Sequence, residues 1–190
     1  MAGVKYHFIT NWEIEASKEE VAAILDRPMD LPVWWPSVYL GIKKETSAEG
    51  ITYYHLFTKG WLPYTLRWKF RQTVNQLPDY LELSAEGDFN GYGKWTLVQD
   101  GSIARITYDW EILADKIIFR LFSFVLRPLF SYNHHWAMKK GLESLKLEIE
   151  RVRKNIPPEK APIPPLATFP HRHYYRKNRL EKKNILAPAT

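Results

Sequence analysis

Residues 64–71 read Tyr64-Thr65-Leu66-Arg67-Trp68-Lys69-Phe70-Arg71, a strict alternation of large apolar and polar side chains. Successive side chains of a strand point to opposite faces, so Tyr64, Leu66, Trp68 and Phe70 share one face and Arg67, Lys69 and Arg71 the other. The same rhythm places Trp12 between Thr10 and Ile14, Leu83 between Glu82 and Ser84, Trp95 beside Leu97, and Trp110 between Tyr108 and Ile112. These rings converge on one interior surface. Tryptophan and tyrosine are bulky, and each has a polar tip that needs a partner when buried. Such a wall suits a cavity for a large apolar guest. It also suits an ordinary core filled by rings, and the pattern alone leaves both readings open.

Outward from this stretch, strands are predicted over about 4–15, 38–46, 51–59, 62–75, 79–87, 92–99 and 102–113, separated by short turn signals such as Ala48-Glu49-Gly50 and Gln99-Asp100-Gly101-Ser102. The segment Gly87-Asp88-Phe89-Asn90-Gly91-Tyr92-Gly93 reads as a hairpin with bulges. It is followed by no helical pattern and no Lys-Ser/Thr pair, so it is not a phosphate loop. Ser17-Lys18-Glu19-Glu20 is a capping box opening a short helix with Val21, Ile24 and Leu25 on its buried side. Leu31-Pro32-Val33-Trp34-Trp35-Pro36 is a rigid aromatic connector.

From Phe119 to about Lys154 the period becomes helical, with a kink expected near Pro128. Phe130, His134, Ala137, Met138, Gly141, Leu142, Leu145, Ile149 and Val152 fall on one face of that helix. This face must cover the aromatic side of the sheet. Gly141 on the stripe costs about 1 kcal/mol of helix propensity, which implies close approach of the helix to a bulky ring.

The length of 190 residues suits one domain with a tail. With no cysteine, disulfides, thiolate metal sites and a cysteine nucleophile are excluded. The start of the chain has no apolar stretch resembling a signal peptide. Ile117 to Phe130 is apolar but spans only 14 residues, is interrupted by Arg120 and Arg127, and is too short to cross a membrane. The net charge of +6 is uneven: residues 155–190 carry +5 and the remainder +1. The expected division is a domain over 1–154 and a Pro-rich, helix-free basic tail over 155–190, mobile or draped on the domain.

Trp34-Trp35-Pro36-Ser37-Val38, the run from Lys59-Gly60-Trp61 to Arg67-Trp68, Gly87 to Trp95, and Arg127-Pro128-Leu129-Phe130 followed by Asn133-His134-His135-Trp136-Ala137-Met138 resemble the SRPBCC group, the START-like, polyketide cyclase/dehydrase and lipid-transport superfamily. The resemblance covers roughly residues 4–154 and is to a bacterial subgroup. It implies an α+β helix-grip (START-like) fold, a seven-stranded curved antiparallel sheet wrapped around a long C-terminal helix, with a hydrophobic tunnel between them. It names no ligand, because folds of this kind host carriers, cyclases, hydrolases and regulators.

The expected tunnel wall is Trp12, Leu66, Trp68, Phe70, Leu83, Trp95, Leu97, Tyr108 and Trp110 from the sheet, and Phe130, Asn133, His134 and Met138 from the helix. Asn133 and His134 are the expected polar handle. A buried histidine orients a carbonyl or transfers a proton, but more often it is a satisfied structural group. His134 and His135 diverge by about 100° on a helix and make no metal pair; no metal or cofactor is expected. Asp109 and Glu111 fall on the outer face, and Glu82, Glu86 and Asp88 are outward or turn positions. The facing of His55 stays open. Trp34, Trp61 and Leu62 lie in loops expected to rim the tunnel mouth or to cap the core. Trp136 points away from the buried stripe, so the 117–126 segment, the Pro-rich linker or a second subunit should cover it, the first two being favoured.

The leading expectation is a cytoplasmic, cofactor-free protein that binds, transports or sequesters a hydrophobic or aromatic small molecule or lipid. The rivals are a cyclase/dehydrase- or hydrolase-like enzyme using the same tunnel with His134 or Tyr108, and a scaffold whose tail is the working part. Residues 171–183 suit peripheral contact with an anionic membrane; specific nucleic-acid readout is not expected. The oligomeric state stays open.

Overall fold

The computed structural model describes residues 4–114 and 123–168, with the side chains of residues 4, 114 and 123–127 excepted. Seven strands form a single antiparallel sheet: β1 (Val4–Glu15), β2 (Tyr39–Thr46), β3 (Thr52–Lys59), β4 (Thr65–Gln76), β5 (Tyr80–Gly87), β6 (Asn90–Asp100) and β7 (Ile103–Ala114). Their order is β1-β7-β6-β5-β4-β3-β2, so the first two strands occupy opposite edges. Helices α1 (Lys18–Leu25) and α2 (Leu31–Trp34) make the crossing between them, and α3 (Ser123–Arg153) lies across the concave face. This is a helix-grip α+β fold.

Local chemistry explains each element. The capping box is formed: the Glu20 amide donates to Ser17 Oγ (3.2 Å) and the Ser17 amide to Glu20 Oε2 (2.9 Å). Arg153, at the far end of α3, donates to the same carboxylate at 2.6 and 2.9 Å and ties α3 to α1. The 87–93 segment is tighter than expected. Only Asp88 and Phe89 turn, and Gly91 and Gly93 lie inside β6. Gly93 is required there because a Cβ would come within 2.9 Å of the Trp110 ring. Pro128 lies inside the continuous helical span of α3.

Gly141 meets its ring: a Cβ at this position would lie 2.3 Å from Cζ2 of Trp35. Val152 departs from the expected stripe and is exposed. Glu148 is buried instead, held bidentately by Arg151 at 2.7 Å in both arms.

The backbone of α3 approaches α1, α2 and β1 most closely. Its C-terminal half, through Leu145 and Ile149, seals one end of the sheet over Trp12, Trp34, Trp35, Leu97 and Ile106. A second cluster, Leu56, Phe70, Leu83, Ala85 and Trp110, fills the curl of the sheet. Tyr39 and Tyr108 pack against both clusters.

Beyond α3 the Pro-rich segment is extended except for one 3₁₀ turn at Pro158–Lys160, which corrects the helix-free expectation; Pro158 opens that turn, where its fixed φ suits the conformation. The segment returns to the domain. Thr168 Oγ1 donates to the carbonyls of Trp61 (3.2 Å) and Gly60 (3.4 Å), and the Thr168 carbonyl accepts from Lys59 Nζ. Lys59 is thereby 1% exposed, and burial pushes its pKa down.

Candidate functional site: a ring-lined cavity under the long helix

Because α3 leans on β1, α1 and α2, a gap remains between its N-terminal half and the middle strands. That gap is a partly enclosed cavity of about 190 Å³ that opens to solvent. Leu66, Trp68, Trp95, Tyr108 and Trp110 line it from the sheet, and Phe130, Asn133, His134 and Met138 from the helix. Each of these stood on the expected wall.

Strand register decides which rings reach it. Across the sheet, Thr10 pairs with Tyr108, Tyr108 with Trp95, and Trp95 with Leu81. The next row toward the crossing helices pairs Trp12 with Ile106 and Ile106 with Leu97. Trp12 and Leu97 therefore do not line the cavity. They lie beneath Trp35, whose ring centroid is 5.9 Å from that of Trp12. Phe70 and Leu83 are likewise absent from the wall, because they are enclosed in the second cluster, with Phe70 stacked on Tyr54 at 5.1 Å. Trp34 is not at the mouth; it is 2% exposed in the core. Trp61 meets Tyr132 edge-on at 5.0 Å and Leu62 is buried.

The wall is a continuous stack. Trp95 and Tyr108 lie face to face at 4.0 Å, Tyr108 and Trp110 at 5.7 Å, and Trp68 is 6.0 Å from Trp110. The Trp68 indole N–H donates to Thr58 Oγ1 (2.9 Å), which fixes its plane. Phe89, from the β5–β6 turn, packs on Trp68 at 5.1 Å. Sequence reasoning missed Tyr6, Phe8, Trp35, Tyr39 and Phe89 as lining residues. Phe8 and Tyr6 share the inward parity of Trp12 on β1, so that signal was present. Tyr39 and Phe89 carried none, since a strand's first residue and a turn residue have no fixed facing.

His134 stacks on Phe8 (4.4 Å, 15°), and its Nε2 lies 3.1 Å from Thr10 Oγ1. Burial pulls its pKa down to about 4, with a smaller push from His135, so the imidazole is neutral near pH 7. Asn133 Oδ1 accepts from the Leu62 amide (3.1 Å) and holds the 60–62 loop against α3. Both expected handles thus already hold a bond within the chain. Burial raises the pKa of the Tyr39 and Tyr108 phenols, and that of Tyr64 to about 12, so all three are protonated donors at neutral pH.

The outer face is separate and solvated. Asp109 pairs with His7 at 2.7 Å, Glu111 with Lys5 at 2.7 Å, and Glu86 with Lys69 at 3.0 Å. His55 also belongs there, 3.2 Å from Glu45. Asp88 holds a turn position, accepting from the Arg67 amide (2.8 Å) at the cavity rim. Trp136 is half-buried, and the 117–126 side chains proposed to cover it lie outside the described residues.

A curved seven-stranded sheet gripping one long helix over a ring-lined cavity is a known architecture. The chain has the START-like fold. Solved structures similar to it include the Zhui aromatase/cyclase of Streptomyces sp. R1128 (TM-score 0.64, 11% identity, covering 78% of this chain and 95% of that one). Norcoclaurine synthase of Thalictrum flavum (TM-score 0.55, 14% identity, 78% and 88%) and a START superfamily protein of Mycobacterium smegmatis (TM-score 0.53, 14% identity, 77% and 98%) are also similar. At these identities the likeness is one of START-like fold alone. No protein-family model and no curated protein matches the sequence.

Proposed function

We propose that the START-like cavity binds a hydrophobic small molecule, and that its occupant is an aromatic compound of one or two rings. The observation that carries this reading is the unfilled, solvent-connected space under α3, walled by the Trp95–Tyr108–Trp110 stack. A packed interior leaves few voids larger than a water molecule, so a space of this size with an opening is a retained feature. An apolar cavity of about 150 Å³ holds one benzene ring. The 190 Å³ here suits a slightly larger ring system and is small for a diacyl lipid. Flat indole and phenol faces favour offset stacking with a planar guest.

Binding is favoured over catalysis by the state of His134, the group best placed for proton transfer. It is neutral, stacked on Phe8 and bonded to Thr10 rather than to a carboxylate. A cytoplasmic location, and contact of residues 171–183 with anionic membranes, belong to the same proposal on the strength of the sequence. Among the described residues no helix is long and apolar enough to cross a membrane.

The test is titration of the full chain with the neutral, two-ring fluorescent probe 6-propionyl-2-(dimethylamino)naphthalene. Saturable binding is expected. It should be lost in Ala137→Phe, which puts a ring into the cavity from α3, while the melting temperature changes by no more than a few degrees. Probe binding that survives Ala137→Phe would overturn the proposal.

A further inference from the structure

The polar atoms that face the cavity are not equivalent. Asn133 and His134 each hold a bond within the chain, and the Trp68 indole N–H is taken by Thr58. Tyr39, on β2, and Tyr108, on β7, differ. Both line the cavity from opposite sides of the sheet's curl, and both pack against the two hydrophobic clusters that meet there. Their rings are fixed, Tyr39 edge-on to Trp35 at 5.2 Å and Tyr108 face to face with Trp95 at 4.0 Å. Neither phenol oxygen makes a hydrogen bond to the described residues, and neither belongs to the polar groups sealed from all solvent. Gly93 supplies the room at the Tyr108 hydroxyl, since a Cβ there would come within 3.0 Å of that oxygen. Phenol donors with no partner in the chain that open on a cavity are completed by what fills it, water or a guest.

We propose that Tyr39 and Tyr108 are paired hydrogen-bond donors for a neutral carbonyl oxygen carried by the bound aromatic molecule. This rests on the reading of the cavity as a ligand site. Both residues line the same cavity of about 190 Å³, so a guest that fills it meets both. The acceptor is uncharged because, among the described residues, the cation on the wall is Lys59, and its ammonium is already taken by the Thr168 carbonyl. His134 is neutral, and Asp88 at the rim repels. Burying a carboxylate without a cation is costly. A ketone, aldehyde, ester or quinone fits these donors; a carboxylic acid does not.

The experiment compares three probes on the full chain by tryptophan quenching: 2-acetylnaphthalene, its hydrocarbon counterpart 2-isopropenylnaphthalene, and 2-naphthoate. Tyr39→Phe and Tyr108→Phe should each weaken the ketone about fivefold, as expected for one lost hydrogen bond. Both should leave the hydrocarbon within twofold, which also reports that the cavity is intact. The infrared carbonyl stretch of the bound ketone should be red-shifted in the wild type and move back in either variant. Naphthoate should bind at least tenfold more weakly than the ketone at pH 7. If the variants affect ketone and hydrocarbon alike, if the carbonyl stretch does not respond, or if naphthoate binds best, the donor pair is overturned while the ligand site stands. If the wild type binds neither neutral probe, the ligand-site reading falls and the donor pair with it.

Discussion

Replacing Gly141 by alanine probes the contact that holds α3 against the core. On a free helix the change would stabilise by about 1 kcal/mol. Here the new methyl would sit 2.3 Å from Cζ2, 2.6 Å from Cε2 and 2.7 Å from Cη2 of Trp35, against about 3.5–4.0 Å for relaxed carbon contacts. Trp35 borders the cavity on one side and is packed on the others. It is 3% exposed and wedged among Trp12, Trp34 and Tyr39, at centroid distances of 5.9, 5.4 and 5.2 Å. A forced shift of about 1 Å puts the overpacking penalty at the upper end of the usual range, about 3 kcal/mol. The net expectation is a loss of about 2 kcal/mol, or a fall in melting temperature of about 4–8 °C for a domain of this size. Thermal and urea melts followed by circular dichroism measure it. In a Trp35→Phe background the smaller ring vacates the space, so Gly141→Ala should become neutral or stabilising there. A Gly141→Ala protein as stable as the wild type, or no coupling between the two positions, would refute the argument that the glycine exists for Trp35.

Other consequences can be measured directly. His134 titrates near 4 in the folded chain against 6.5 unfolded, so between those values the unfolded state binds the extra proton. The stability it contributes is complete above about pH 6.5 and is lost as pH falls toward 4, by up to about 3 kcal/mol; His134→Gln should flatten urea-melt stability over that window. Arg151→Ala leaves the buried Glu148 carboxylate without its bidentate partner and should cost about 3 kcal/mol, whereas replacing both residues by apolar ones should cost less. Gly60→Ala would drive a Cβ to 2.2 Å from Asn133 Oδ1, so amide exchange at Leu62 should speed up in hydrogen–deuterium exchange, as it should in Asn133→Leu. Thr168→Val removes the two bonds to the Gly60 and Trp61 carbonyls, and the 60–62 loop should then exchange faster with the rest of the sheet unchanged.

The sequence by itself determined what depends on neighbours along the chain. Alternation set which face Trp68, Trp95, Tyr108 and Trp110 present, because side-chain direction in a strand has period two whatever the sheet does. The Ser17–Glu20 box set where α1 begins, and Gly141 announced a ring before that ring could be named as Trp35. Tertiary structure alone decided which inward rings border empty space. Trp12 and Trp95 share the inward facing of neighbouring rows, yet one is core and the other cavity wall, because strand register placed Trp12 beneath Trp35. The lean of α3 onto β1, α1 and α2 opened the gap over the middle strands. It also left Asn133 and His134 bonded within the chain and brought Tyr39, silent in the sequence, opposite Tyr108. A cavity is the absence of atoms from elements remote in sequence, and no periodicity within one element encodes how far another stands from it.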